Sequence, residues 1–319
     1  MKKLAAVLAA SAASAMIAGP GQAQTISFAS LPQGSLIYFQ ATVVSKMLLK
    51  HTDLKVRVSP MRGTEAEIVA IERGQAELSI VDVTQAAAAI NGHEAFKGRP
   101  AKKLRSAGLL VSFPVGVLIR KDSPIRKISE LKGLRLPSGW KAFNQGKILM
   151  EAMFKTGGLS FADIKGIPTP GLIRAANDFK AGKSDGTIMA PATPKAKELN
   201  AALGGVRFID LGDSPAALKA VKSIREDFYI QRVTPAPHRS GVLEPIHMLT
   251  FDVALTTGSN VSDEIVYKVV KAVYENKKDL AKGHPTFRGF IPNKMGKKFS
   301  VLQPHRAAVK FFREKGIMP

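Results

Sequence analysis

Short apolar runs alternate with longer stretches of helical periodicity along most of this 319-residue chain. The run from 26 to 30 is typical of a buried strand. The helical stretch after it ends near His51 and places Phe39, Val43 and Met47 on one face. This alternation of strand and helix is the signature of α/β proteins. The sequence therefore predicts an α/β fold, with mixed sheets flanked by helices.

The alternation forms two successive units. In the first, strands over 54–59 and 78–81 are each followed by a helix, one beginning at Gly63 and Thr64, the other covering 83–90. After a basic segment, a second unit repeats the pattern with elements predicted at 128–133, 134–137, 144–156, 172–181, 186–189, 194–202 and 206–211. Two such units predict two lobes.

Two long apolar runs are placed where the chain would pass between these lobes. The run 109–120 contains Pro114 and Gly116, which predict a strand that bends or crosses between the lobes. The run 248–256 leads back towards helices predicted at 262–276 and 304–315. We therefore predict a two-lobed binding-protein fold of the type II kind. Lobe 1 comprises residues 24–112 plus 250–319, and lobe 2 comprises residues 113–249. Hinged lobes of this kind enclose a ligand between them.

The first 23 residues predict export. A short cationic start, Met1 to Lys3, precedes an apolar, alanine-rich run and then small residues up to Ala23. The run is too short to span a bilayer, so we read a cleavable signal peptide over 1–23 and a periplasmic mature chain that is not membrane-inserted. The absence of cysteine suits an oxidising compartment.

The chain is strongly basic, with a formal net charge of +22. Its basic regions contain few aromatic residues, and Trp140 is the only tryptophan. A stacking platform for nucleic acid needs such aromatic side chains. Together with export, this argues against nucleic acid as a partner. A solvated basic surface explains the charge, and an attractive field for an anionic ligand is compatible with it.

Catalytic and metal motifs are weak. The six histidines have no metal-ligand spacing, and the sequence has no nucleotide-binding loop or nucleophile elbow, so no cofactor and no metal are predicted. Ser129 and Lys132 form an S-x-x-K, and Lys155, Thr156 and Gly157 form a K-T-G, which leaves a serine acyl-transfer enzyme as an alternative. Their spacing is too short for that chemistry, so we predict that the chain is not an enzyme.

The order of several short segments is more informative than any one of them. They are Ser30 to Tyr38, Met61 to Thr64, Arg73 to Asp82, Phe96 to Pro100, Asp122 to Ile125, Leu131 to Arg135, Ala181 to Gly186, Val266 to Asn276 and Phe311 to Gly316. In this order the chain resembles the TAXI class of TRAP transporter solute receptors over nearly its whole mature length.

The resemblance implies a periplasmic receptor that makes no covalent bond to its ligand. As a monomer, the receptor would capture a carboxylate or an amino acid between its lobes and deliver it to TRAP membrane subunits. A receptor that feeds a sensor kinase instead has the same cleft and stays open as an alternative.

In the first lobe the matching positions lie at strand ends and helix starts. Backbone N–H groups at a helix start bind anions, although ordinary capping would explain the same residues. Tyr38 matches an aromatic residue that lies over the ligand in the family, or else belongs to the core. Asp82 would hold a ligand amine or a nearby cation, or else cap a helix. The candidate ligand-binding residues here are Gly34, Ser35, Tyr38, Arg62, Gly63, Thr64, Asp82 and Val83.

In the second lobe the chain departs from the family pattern. The turn before the helix at 146 carries Trp140, Phe143 and Asn144 where the family has small residues, which favours an aromatic or bulkier carboxylate. Lys141 is a possible charge partner, and Arg62 and His238 are further candidates for binding a carboxylate. The candidates here are Ser138, Trp140, Lys141, Asn144, Pro191, Thr193 and His238.

Overall fold

The computed structural model of the chain describes residues 25–33, 35–141 and 143–318. The predicted signal peptide and Gly34 lie outside the described residues. The strands are β1 (Thr25–Ser30), β2 (Lys55–Pro60), β3 (Leu78–Asp82), β4 (Leu104–Arg120), β5 (Arg135–Gly139), β6 (Lys165–Thr169), β7 (Gly186–Met189), β8 (Val206–Phe208), β9 (Tyr229–Val233) and β10 (Ile246–Gly258).

Helices follow most of these strands. They are α1 (Leu36–His51), α2 (Thr64–Glu72), α3 (Val83–Ile90), α4 (Asn144–Thr156), α5 (Leu172–Lys180), α6 (Pro194–Ala202), α7 (Pro215–Lys222), α8 (Asp263–Glu275), α9 (Lys277–Gly283) and α10 (Arg306–Glu314). Within the described ranges, none of these helices combines the length and the apolar character that a membrane crossing needs.

The main sheet runs through both halves of the molecule. Its order is β2-β1-β3-β10-β4-β7, with β9 added to β10 and β8 added to β4. The first three strands are parallel to one another, while β10 is antiparallel to β3 and β4. Strands β5 and β6 form a separate parallel pair. The mixed sheets flanked by helices confirm the predicted α/β class.

The two long strands join the halves. β4 and β10 pair from Leu104 opposite Gly258 to Val115 opposite Leu249, and β4 then continues with β7 and β8 as partners. Both strands are buried along most of their length, which explains their nearly continuous apolar sequences. The crossing of the chain on two long strands agrees with the two-lobed fold that the sequence predicts, while the lobe boundaries at 112 and 250 stay predictions.

Irregular register in β4 lies away from the predicted bend. Pro114 and Gly116 pair in sequence with β10 and β7, whereas the register shifts occur beside Leu110 and Ala107. Gly116 serves a packing purpose, because a Cβ there would lie 2.9 Å from the Met248 side chain and 3.0 Å from that of Phe208. The absence of a side chain at Gly116 therefore lets Met248 and Phe208 pack directly against the backbone of β4. The bulges, which bend a strand locally, lie nearer to lobe 1.

Several elements escape prediction from the sequence. The strands β6 and β9 have mixed polar sequences, and the helices α7 and α9 are short. Their local sequence patterns are weak, and tertiary contacts stabilise them instead. Helix α7 packs on α4 and β9, and β6 forms its ladder with β5. By contrast, α4, which Gly157 and Gly158 follow, has the predicted bounds.

Candidate functional site

Six helices each begin shortly after a strand ends. In lobe 1, β1, β2 and β3 lead into α1, α2 and α3, and in lobe 2, β5, β6 and β7 lead into α4, α5 and α6. Helix N-termini carry partial positive charge and free N–H groups. A hydrogen bond between the end of β3 and the start of α4 brings one helix start of each lobe together.

Asp82 and Gln145 connect the two sides of the cleft. Asp82 ends β3, and its Oδ1 accepts a hydrogen bond from the backbone N–H of Thr84 at 2.7 Å, so it caps α3. Its Oδ2 accepts a hydrogen bond from Nε2 of Gln145, in the first turn of α4, at 2.6 Å. Only 8% of Asp82 is exposed, and burial raises the pKa of its carboxyl to about 6. The carboxyl predicted as either a cap or a ligand contact therefore caps a helix and bridges the lobes.

Trp140 forms the turn between β5 and α4. Its backbone φ of 44° lies in the left-handed region, which is unfavourable for a bulky residue. The indole packs on the start of α4, where a Cβ at Gly146 would lie 2.4 Å from its six-membered ring. It meets Phe143 edge to face at a centroid distance of 6.2 Å. The turn therefore depends on a glycine six residues later in the chain.

Two polar atoms of this turn are buried among the described residues without a hydrogen-bond partner. They are the indole N–H of Trp140, a residue only 2% exposed, and Oε1 of Gln145. Buried polar groups are nearly always satisfied, so each exception calls for an explanation, such as a bound water or a ligand. One donor and one acceptor thus remain available at the start of α4.

A cavity of about 80 Å³ lies further along the cleft, beside the crossing strands. Both lobes contribute to it. Its walls are Val111, Ser112, Phe113 and Pro114 of β4, Ala190, Pro191, Ala192, Thr193, His238 and Arg239 of lobe 2, and Pro285, Thr286 and Gly289 of lobe 1. Three of the predicted site residues, Pro191, Thr193 and His238, are thus brought together.

This cavity is electropositive. The pKa of His238 lies below its usual value because of burial and, in addition, because of the positive charges of Arg239 and Arg288. The Arg239 guanidinium is held in place by the donation of a hydrogen bond from Nη1 to the carbonyl of Thr234 at 2.9 Å. A neutral imidazole and an arginine at the mouth of a small cavity suit a carboxylate.

The cavity also has ordered polar neighbours. Thr193 Oγ1 caps α6 by accepting from the Ala196 N–H at 3.2 Å and donates to the Ala190 carbonyl at 2.9 Å. In lobe 1, Gln40 of α1 donates from Nε2 to Thr286 Oγ1 at 3.1 Å, and its Oε1 is another buried acceptor without a partner in the described chain. The cavity wall is therefore preorganised on both sides.

The predicted residues at the starts of α1 and α2 differ in which polar groups they leave free to bind a ligand. Ser35 Oγ is used as the cap of α1, accepting from the Tyr38 N–H at 3.1 Å, and Tyr38 is half-buried. At α2, the Glu65 carboxylate lies close enough that a Cβ at Gly63 would be 3.1 Å from its Oε2. A negative charge already occupies that N-terminus, which makes Gly63 and Thr64 weaker candidates for an anion.

The remaining predicted residues have diverse surroundings. Val83 is fully buried in the core of lobe 1, and Ser138 lies against Gly166 of β6, where a Cβ would be 2.6 Å from its Oγ. Exposed side chains are those of Arg62, Lys141 and Asn144. No contact places these five in the cavity, and their roles stay predictions.

The S-x-x-K and K-T-G residues lie away from the cleft. Ser129 and Lys132 precede β5, at the opposite end of that strand from Trp140. The Lys132 ammonium lies 3.9 Å from the Asp163 carboxylate, and Lys155 donates to Ser223 Oγ at 3.0 Å. Neither lysine forms a base for Ser129.

Sequence reasoning did not single out Gln145, Arg239, Gln40 or Thr286. Gln145 is adjacent to the candidate Asn144, and Arg239 to the candidate His238. The sequence therefore indicated the correct segments of the cleft but not the side chains that make the contacts. Which side chain of each pair enters the cleft depends on helix phase and on loop conformation, and neither can be inferred from residue type.

The sequence model of the NMT1-like family matches residues 30–316. Solved structures with a similar fold include a periplasmic transporter, 16% identical with a TM-score of 0.56 over 93% of this chain and 95% of that one. A TctC solute-binding protein from Polaromonas is 14% identical with a TM-score of 0.51, covering 84% of this chain and 88% of that one. A protein from Bordetella bronchiseptica is 14% identical with a TM-score of 0.50, over 92% and 89%.

Proposed function

Since the chain belongs to the NMT1-like family and has the two-lobed fold of periplasmic solute-binding proteins, we propose that it is a receptor that encloses a small organic anion between its lobes. The prediction that the chain is not an enzyme is confirmed by its membership of the NMT1-like family.

The proposal of an anionic ligand rests on one observation. A small cavity walled by both lobes has Arg239 and a neutral His238 at its edge, and the N-terminus of α6 lies in its wall. An arginine and the partial positive charge of a helix N-terminus at a partly buried site stabilise a carboxylate. The cavity of about 80 Å³ fits a carboxylate group rather than a whole metabolite. The rest of the ligand then extends along the cleft towards Trp140 and Gln145.

The unpartnered atoms support this path. The indole N–H of Trp140 would donate to the ligand and Oε1 of Gln145 would accept from it, which satisfies both buried groups. The aromatic and bulky residues of this turn favour a ligand larger than the smallest dicarboxylates. A ligand that contacts both lobes binds the closed form better than the open one, so binding shifts the population towards closure.

The finer assignment follows the resemblance in the sequence. We propose that the protein is a TAXI-class receptor, exported by the signal peptide 1–23, that works as a periplasmic monomer and delivers its ligand to TRAP membrane subunits. What supports this is the order of the matching segments along nearly the whole mature chain, together with a family match over 30–316.

A thermal-shift experiment tests the anionic ligand. The mature protein is screened against organic carboxylates and the matching neutral amides, because a ligand bound by the folded state raises Tm by mass action. We expect stabilisation by one or more carboxylates and none by their amides. Arg239→Gln should lower the affinity for such a carboxylate roughly tenfold, in line with the loss of a hydrogen bond to a charged group.

The matched control is Arg232→Gln, which removes an exposed arginine of β9 outside the cavity wall. It should leave the affinity unchanged. Equal losses in both variants, or stabilisation by the neutral amides alone, would contradict an anion site at Arg239.

A further inference from the structure

A short segment of lobe 2 reaches across to lobe 1 at three points. It comprises residues 225–229, from the loop after α7 to the first residue of β9, and we call it the strap. Three alternate residues of the strap, Arg225, Asp227 and Tyr229, each contact a side chain outside lobe 2 as predicted from the sequence. Phe228 between them is fully buried and lies 6.5 Å, centroid to centroid, from Phe251 of β10. Its burial anchors the strap to the crossing strands.

The contact furthest along the chain from β9 is an ion pair. Arg225 donates from its guanidinium to Glu94, which follows α3 in lobe 1. Glu94 has a φ of 54°, and it and Trp140 are the two non-glycine residues of the described chain with positive φ. Such strain persists only where the surroundings over-determine it, and it is concentrated at ligand clamps and switches.

The second contact is a forked hydrogen bond. Ser300 Oγ lies 2.9 and 2.8 Å from the two carboxylate oxygens of Asp227. Ser300 belongs to the C-terminal part of lobe 1, beside Phe299 in the lobe 1 core. This contact therefore joins a second, separate part of lobe 1 to the strap.

The third contact lies on the crossing strand itself. Tyr229 donates from its hydroxyl to Asp252 Oδ1 at 2.8 Å, and Asp252, which is buried, also accepts from Ser112 and from Lys297. Tyr229 pairs with Thr250, two residues before Asp252 on β10. Because both partners belong to paired strands at the point of crossing, a rotation of the lobes leaves this contact in place.

We propose that the strap is a latch, in which the pairs Arg225–Glu94 and Asp227–Ser300 hold the lobes closed independently of ligand and break when the cleft opens. The contact of Tyr229 with Asp252 is the fixed end. The latch regulates the site proposed above, and so it rests on the proposed closure of the two lobes. Its consequence is an unliganded receptor whose resting position is biased towards the closed form.

The chain offers a clean measurement because it has no cysteine. Lys46→Cys on α1 and Lys197→Cys on α6 introduce exposed labelling positions, one on each lobe. Single-molecule energy transfer between two dyes at these positions then counts open and closed molecules without ligand. Arg225→Gln and Ser300→Ala should each raise the ratio of open to closed molecules about two- to fivefold, as expected for partly exposed polar pairs.

A double-mutant cycle separates the latch from a general loss of structure. If Arg225 and Glu94 act as one contact, the variant that combines Arg225→Gln with Glu94→Gln opens no further than Arg225→Gln alone. The control is Lys180→Gln, which removes a surface ion pair, Lys180 with Glu198, inside lobe 2. It should leave the ratio unchanged.

The latch is overturned if the strap variants leave the ratio unchanged, if Lys180→Gln opens the protein equally, or if the Arg225 and Glu94 effects simply add. These outcomes are independent of the anion test. Failure of the latch with Arg239-dependent carboxylate binding intact removes the latch alone, whereas an intact latch without such binding removes only the anionic ligand.

Discussion

The two ends of the cleft carry opposite charges. At one end Asp82 is buried against Gln145, and at the other Arg239 and His238 border the cavity beside the crossing strands. Burial acts on both titratable groups, raising the pKa of Asp82 and lowering that of His238, so each is displaced towards its uncharged form. At neutral pH Asp82 is still mainly ionised, His238 is neutral, and Arg239 supplies the positive charge.

The opposite charges at the two ends of the cleft orient a bound ligand. An anionic group is repelled by the Asp82 carboxylate and attracted by the Arg239 guanidinium, so the cleft has a polarity along its length. The unpartnered indole N–H of Trp140 and Oε1 of Gln145 lie at the acidic end, where Gln145 contacts Asp82.

Replacing Asp82 should give the largest change. Its pKa of about 6 in the folded protein lies above the unfolded value of 3.8, so its contribution to stability is fully present below about pH 4 and is lost as the pH rises through 6. At pH 7 the buried charge costs about 3 kcal/mol by the size of this shift. Asp82→Asn, which keeps the cap, should therefore gain stability relative to wild type between pH 4 and pH 7, measured by urea unfolding.

The control for this pH profile is Asp122→Asn, because the Asp122 side chain is 77% exposed. Its stability should follow the wild-type profile. A pH profile of Asp82→Asn that also follows the wild type would show that the carboxyl is not buried against Gln145.

Filling the space at Gly146 should have the next largest effect. A Cβ there would lie 2.4 Å from the Trp140 ring, so Gly146→Ala forces the indole out of its position. We expect a loss of about 1–3 kcal/mol in unfolding free energy, typical of overpacking. The emission of Trp140, the only tryptophan, should shift to longer wavelength as the ring becomes more exposed.

Gly289→Ala is the matched control, since no atom lies within 4 Å of a Cβ at that position. It should change neither the stability nor the emission. If Gly146→Ala behaves in the same way, Trp140 does not pack on α4 as described.

The smallest effect is expected at the basic end. A bound carboxylate raises the pKa of His238, because a nearby negative charge favours the imidazolium. Binding then takes up a proton, and the affinity for a carboxylate found by thermal shift should increase about three- to tenfold as the pH falls from 7.5 to 5.5. Calorimetry in buffers of different ionisation enthalpy measures the proton uptake.

His238→Gln should weaken this pH dependence to the part that protonation of Asp82 contributes, while it leaves the affinity near pH 7.5 almost unchanged. An unaltered pH dependence in that variant would place the titrating group elsewhere in the cleft.

Local sequence determined much of the scaffold. Ser35, Asp82 and Thr193 are helix-capping residues by type and position, and they cap α1, α3 and α6. The end of α4 follows from Gly157 and Gly158, which close the helix. These features depend on neighbours within one or two turns, which is why residue pattern alone predicts them.

Only the tertiary structure decided which of these residues work together. Asp82 meets Gln145, 63 residues later, and Arg225 meets Glu94 across 131 residues. The field at His238 comes partly from Arg288 of the other lobe. Contacts of this range depend on how two lobes are set by the crossing strands β4 and β10, and no local propensity encodes that geometry.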